Sequence, residues 1–316
     1  MRHRPLGDSG LLVSVVGLGC NSFGRRLDAG GARGVVDAAI ESGITLLDTA
    51  ESYGGNGRSE EILGEVLAGR RDQVVLATKF GGSDIGYGPA AGARGGRAYI
   101  RRAVTQSLRR LRTDYIDLYQ LHQPDPVTPI AETIAALDDL VHEGIVRYVG
   151  HSNFSGWQIA DGSHVAGRMR AAPFVSAQNH WSLLERAVEA EVVPAARHFG
   201  LGVLPYFPLA NGLLTGKLRR GQEPAPGTKL AGRTGYITDE KMDRVEALIT
   251  WAGEQGVTLL EVAIGWLAAQ PGCGSVIAGA MSAEQVRANA AAGSWIPSAE
   301  QLAEIDKIVP PPAPAS

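Results

Sequence analysis

The stretch YIDLYQLHQPDPVTPIAETIAALDDLVHEGIVRYVGHS, residues 115–152, outlines a strand, a helix and a second strand. YIDLYQLH (115–122) and VRYVGHS (146–152) are short apolar runs rich in β-branched and aromatic residues. Bounded by helical patterns, runs of this length read as parallel strands buried on both faces. Between them, PIAETIAALDDLVHEG (129–144) places Ile130, Ile134, Leu137 and Val141 at spacings of three and four, on one helical face, and Gly144 is suited to stop the helix.

The same alternation recurs along the chain. Six further runs qualify as strands: VSVVGLG (13–19), ITLLD (44–48), VVLATK (74–79), VSAQN (175–179), GVLPY (202–206) and SVIAG (275–279). Amphipathic segments such as GARGVVDAAIESG (31–43) and TLLEVAIGWLAAQ (258–270) lie between them. Eight strand–helix units without a linker predict one closed (β/α)8 TIM barrel in the α/β class, a single domain over 1–316. RPLGDSGLLV, before the first strand, reads as a hairpin covering the bottom of the barrel, and 308–316 reads as a proline-rich flexible tail. Two long stretches, 81–96 and 207–236, follow strands and so fall on the C-terminal face, where loops carry function.

Composition narrows the function. Across 316 residues, 30 basic and 33 acidic side chains are mixed along the chain for a net charge of −3, which supports neither a nucleic-acid nor a membrane partner. No stretch approaches the roughly 20 apolar residues of a membrane helix. Cys20 and Cys273 stand alone, with no metal-ligand spacing, so no metal is expected and a reducing cytoplasm is the simplest location. The start, MRHRPLGDSGLLVSVVGLGC, superficially resembles a secretory leader, but Asp8 and Ser9 interrupt it and its apolar run is short.

In such a barrel, polar residues at the C-terminal ends of strands are the signal for chemistry. Asp48 ends the second strand, Tyr53 follows in its loop, Lys79 ends the third and His122 ends the fourth. Each alone has a plain structural reading: a cap, a loop aromatic, a solvated lysine, a histidine before a turn. Together they suit proton transfer. A phenol titrates near 10, a neighbouring ammonium lowers that value, a carboxylate fixes the ammonium, and a histidine can orient a carbonyl.

With these residues in view, the sequence resembles the aldo-keto reductase superfamily, in its bacterial and channel-beta-subunit-like branch. The resemblance runs from RPLGDSGLLVSVVGLG through LLDTAESYGGNGRSEEILG, VVLATKFG, DYIDLYQLHQPDP and VGHSNFSGWQI to IAGAMSAEQVRANAAA. It implies reversible reduction of a small-molecule aldehyde or ketone by NADPH, with Tyr53 as general acid, Lys79 and Asp48 tuning it, and His122 positioning the carbonyl.

The resemblance also implies a dinucleotide site without a Rossmann motif, in which Gly19 lets the cofactor approach and Asp48 borders it. Ser152, Asn153 and Gln178 would hold the nicotinamide amide, and Tyr206 would stack on the ring. Pro208, Leu209, Gly212 and Lys217 would run over the pyrophosphate. Gly279, Met281 and Ser282 would open a helix toward the 2′-phosphate, with Gln285 and Asn289 facing adenine. Met281 stands where relatives often carry Arg, Lys or Thr, so NADH is possible beside NADPH, and Arg287 or Arg233 is expected to supply charge. His151 should turn toward the helices and serve structure. Phe23, Tyr87 and Trp181 are expected to line the substrate pocket. Two other classes stay open: a cofactor-binding regulatory subunit with little turnover, and a barrel aldolase using Lys79 as a Schiff base.

Overall fold

The structure, a computed structural model, describes residues 1–82 and 92–312. An N-terminal antiparallel pair, β1 (His3–Pro5) and β2 (Leu12–Ser14), precedes eight barrel strands. These are β3 (Val16–Gly19), β4 (Leu46–Asp48), β5 (Val75–Phe80), β6 (Ile116–Leu121), β7 (Val146–Ser152), β8 (Phe174–His180), β9 (Gly202–Tyr206) and β10 (Val276–Gly279). They pair in parallel and in chain order, and β10 returns to β3 to close the barrel. All eight expected runs form strands. The run 13–19 is divided: its first part pairs in the hairpin, and the barrel strand begins only at Val16.

The helices are α1 (Ala29–Glu41), α2 (Arg58–Val66), α3 (Arg97–Leu111), α4 (Ile130–His142), α5 (Gly156–Met169), α6 (Val192–His198), α7 (Asp239–Glu254), α8 (Leu259–Ala269), α9 (Ala283–Ala292) and α10 (Ala299–Ile308). Several begin on side-chain caps, for example Asp28 on α1 and a reciprocal Thr258–Glu261 box on α8, which satisfy otherwise orphaned N–H groups. No helix among the described residues is long and apolar enough to cross a membrane.

Two apolar regions divide the core. The larger lies between strands and helices, where Ile134, Leu137 and Leu140 of α4 are buried. The smaller fills the lower barrel, where Leu6, Leu11 and Val13 of the hairpin pack with Leu46, Ala77, Leu118, Leu204 and Ile277. Arg4 fastens the hairpin by donating to the Cys273 and Ala268 carbonyls, each at 2.9 Å. At the other end of the chain, α10 reaches Ile308 and Val309 is buried, so the stretch expected as tail from 308 starts within packed structure; residues 313–316 lie outside the described ones.

Strand register sorts the polar residues. In parallel pairing Lys79 sits beside Gln120, Gln120 beside Gly150, and Ser152 beside Gln178, so these side chains share the barrel interior. His151 has the opposite parity and is buried against the helices, stacked on Phe154 at 4.2 Å and edge-on to Phe174 at 5.2 Å. Neither ring nitrogen has a hydrogen-bond partner among the described residues, and burial lowers its pKa from 6.5 to about 3. The unfolded chain therefore binds a proton that the native state refuses between those values. Stability from this residue is complete above pH 6.5 and falls by about 1.4 kcal/mol per pH unit as the pH drops toward 3. His151→Phe should accordingly show a smaller difference between its urea midpoints at pH 7 and pH 5 than the native protein; an equal difference would place the acid sensitivity elsewhere.

Candidate active site

Three adjacent strands, β4, β5 and β6, and the loops that follow them deliver the expected tetrad to one place. Lys79, fully buried at the end of β5, donates from Nζ to Asp48 Oδ2 at 2.6 Å, to the Thr49 carbonyl at 3.0 Å and to Tyr53 Oη at 3.3 Å. The Tyr53 loop can turn back because Gly54 adopts φ 75°, and a Cβ there would lie 2.5 Å from the Phe23 carbonyl oxygen. His122 meets the Tyr53 ring edge-on at 5.7 Å, and its Nδ1 is buried without a partner among the described residues.

The charges follow from this packing. Burial alone would lower the pKa of the Lys79 ammonium, but Asp48 and Tyr53 outweigh it and hold the value above the ordinary lysine range. For Tyr53, burial pushes the phenol upward and Lys79 offsets only part of the push, so the net direction is up. The expectation of a lowered phenol is corrected here: Lys79 does pull it down, but desolvation wins. At neutral pH the hydroxyl therefore keeps its proton. Burial, and then the Lys79 charge, lower His122 to about 3, so its imidazole is neutral.

Above the tetrad opens a cavity of about 1370 Å³, bordered by Gly19, Asp48, Tyr53 and His122. Ser152, Asn153, Gln178 and Tyr206 form its far wall. Asn153 takes the left-handed conformation at φ 62° and accepts from Tyr206 Oη at 2.8 Å, which fixes the plane of that ring. Pro208, Leu209, Gly212 and Lys217 from the loop after β9 also border the cavity, as do Gly279, Met281, Gln285 and Asn289 around the start of α9.

Other expectations fail geometrically. Phe23 and Trp181 do not reach the cavity. The tight turn after β3 buries the Phe23 ring in the core, and Trp181 packs edge-on to Trp266 with its indole N–H donating to Glu189 at 2.9 Å. Tyr87 lies outside the described residues. Ser282 is used as the N-cap of α9, accepting from the Gln285 N–H, and does not border the cavity. Arg287 is drawn away to Glu41 at 3.1 Å, and Arg233 donates to Asn211 on the exposed rim.

Residues not singled out from sequence add positive charge to the rim. Arg26, after β3, reaches the carbonyl of Gly227 across the mouth, and Lys229 of the facing loop approaches Asn21 Oδ1 at 3.5 Å; both border the cavity. Neither pairs with a carboxylate among the described residues, although Glu223 stands on the same rim. Burial, with Arg26 and Arg233 nearby, lowers Lys229 to about 8. Gln120 was missed as well, although it shares parity with His122 two residues on.

A sequence model of the Aldo/keto reductase family matches residues 15–310. The chain belongs to the aldo/keto reductase family. An uncharacterized oxidoreductase, YrpG, of Bacillus subtilis strain 168 is 40% identical over 91% of this chain and 89% of its own length. A probable voltage-gated potassium channel subunit beta of Oryza sativa subsp. japonica is 36% identical over 98% of this chain and 97% of its own. Protein tas of Escherichia coli strain K12 is 30% identical, covering 98% and 97%. Aldo/keto reductases are oxidoreductases that generally bind nicotinamide cofactors, and both the fold and the family apply to nearly the whole of this chain.

Proposed function

We propose that the chain is a single-domain cytoplasmic enzyme that reduces small aldehydes or ketones to alcohols with NADPH, using Tyr53 as general acid. One observation carries this reading: a protonated phenol touches a sealed ammonium–carboxylate pair while facing a cavity large enough for a dinucleotide and a small substrate.

The residues present fit such a cofactor. Gln178 Oε1 accepts no hydrogen bond among the described residues, and the Arg26 and Lys229 charges lack a carboxylate partner. Ser152, Asn153 and Gln178 would hold the nicotinamide amide, with Tyr206 against the ring. Lys217, Lys229 and Arg26 would meet phosphate oxygens, and Gln285 and Asn289 the adenine end. When bound, reduced nicotinamide supplies a hydride. The chain's own part is the proton. Neutral His122 orients the carbonyl oxygen, and Tyr53 gives that oxygen its proton. Lys79 then stabilises the phenolate, while Asp48 keeps the lysine charged and in place. This same pairing argues against the aldolase reading, because Lys79 is fully buried, charged and absent from the cavity wall.

The similarity to plant channel beta subunits supports a second reading, a cofactor-binding subunit with slow turnover. Tight NADPH binding without measurable reduction across a panel of aldehydes and ketones would favour it.

Tyr53→Phe should reduce carbonyl turnover by roughly 10² to 10⁴-fold while NADPH binds as before. Turnover at the native rate would refute the role given to the phenol. NADPH affinity should also weaken as pH rises through about 8, where Lys229 loses its proton. Lys229→Ala should bind NADPH more weakly at pH 7 and lose that dependence, as read by fluorescence titration; an unaltered pH profile would exclude Lys229 from the phosphate site.

A further inference from the structure

Gln120 lies on β6 between Lys79 and Gly150 in the strand register and is fully buried inside the barrel. The proton chemistry does not use it, and a buried amide is costly unless it is bonded. Its Nε2 donates to Asp48 Oδ1 at 3.3 Å, and its Oε1 accepts from Gln178 Nε2 at 3.4 Å. Gln178 Nε2 also donates to the same Asp48 oxygen at 2.9 Å. The three side chains form a closed triangle. Space for it exists because residue 150 is glycine: a Cβ there would lie 3.2 Å from Gln120 Cγ and 2.1 Å from Ser176 Oγ.

A carboxylate only accepts, so both amides must turn nitrogen toward Asp48. Gln178 has two N–H bonds; Asp48 takes one and Gln120 Oε1 takes the other. What it retains for the cavity is Oε1, an acceptor.

We propose that Gln120 is a positioning residue that makes Gln178 an acceptor-only group, so that the site takes the primary amide of nicotinamide and rejects the carboxylate of its nicotinic acid analogue. This rests on the reading of the cavity as a dinucleotide site. An amide N–H can donate to Gln178 Oε1. A carboxylate in the same place would set acceptor against acceptor, with the Asp48 charge behind them.

The test is equilibrium binding, read by tryptophan fluorescence, of three probes: NADP+, nicotinic acid adenine dinucleotide phosphate, and adenosine 2′,5′-bisphosphate, which has no pyridine ring. The native protein should bind NADP+ at least about ten-fold more tightly than the acid analogue. Gln120→Leu and Gln120→Met free one Gln178 N–H and should reduce the ratio to about two-fold or less, with bisphosphate affinity unchanged. Gln120→Glu in its protonated form still donates to Asp48 and accepts from Gln178, and should keep the discrimination below the pH at which that acid ionises. A native ratio near one overturns the proposal even if no variant folds, as does a native-like ratio in both the Leu and Met variants. If neither NADP+ nor the bisphosphate binds at all, the dinucleotide reading itself fails, a result distinct from equal binding of amide and acid.

Discussion

The site depends on one ion pair, Lys79 to Asp48 at 2.6 Å, with the lysine completely and the aspartate almost completely withdrawn from solvent. Two charges in such surroundings are stable only if their remaining hydrogen-bonding capacity is filled, since desolvation rivals their mutual attraction. Here the capacity is filled. Thr49 and Tyr53 take the other lysine donors, and Gln178 and Gln120 donate to the second aspartate oxygen. Removing either charge alone would leave the other stranded, at a cost of about 3–5 kcal/mol. Tyr53 is therefore bound to a positive charge that three hydrogen bonds hold in place.

The barrel makes this arrangement possible by layering. Along β4, Leu46 precedes Asp48 by two residues; along β5, Ala77 precedes Lys79; along β6, Leu118 precedes Gln120. Successive inward positions thus pass from an apolar floor to a polar upper layer, and the hairpin residues Leu6, Leu11 and Val13 seal the floor from below. Close packing beneath the polar layer resists rotamer change, and the low polarity there strengthens the electrostatic coupling above it. The loops after β3 and β9 then bring cations over the mouth of the same cavity.

Much of this was legible in the sequence, because the governing signals are periodic. The eight strands appear as short apolar runs, and the tetrad appears as three polar residues placed where those runs end and a tyrosine in the loop beyond one of them. What escaped depends on how turns and partners dispose of a side chain. Phe23 and Trp181 are aromatic residues just beyond strands, as pocket residues often are, yet a tight turn and a Glu189 acceptor bury them. Arg287 has the right charge and position on α9, but Glu41 of α1 claims it. Lys229 and Arg26 lie in irregular segments where no period announces direction. Gln120 alone left a usable sign, its shared parity with His122 and Leu118, which marks it as an inward polar residue above an apolar one.

The central claim is that the buried pair holds the Tyr53 phenol below the value that burial alone would impose. Its most direct measure is the titration of ¹³Cζ-labelled Tyr53 by NMR in the native protein and in the Asp48→Asn/Lys79→Met double variant, which removes both charges together and strands neither. Lys79 lowers the phenol more than Asp48 raises it. Tyr53 should therefore titrate above the ordinary tyrosine value in the native protein and higher still in the double variant. Identical titrations in a folded double variant would contradict the claim.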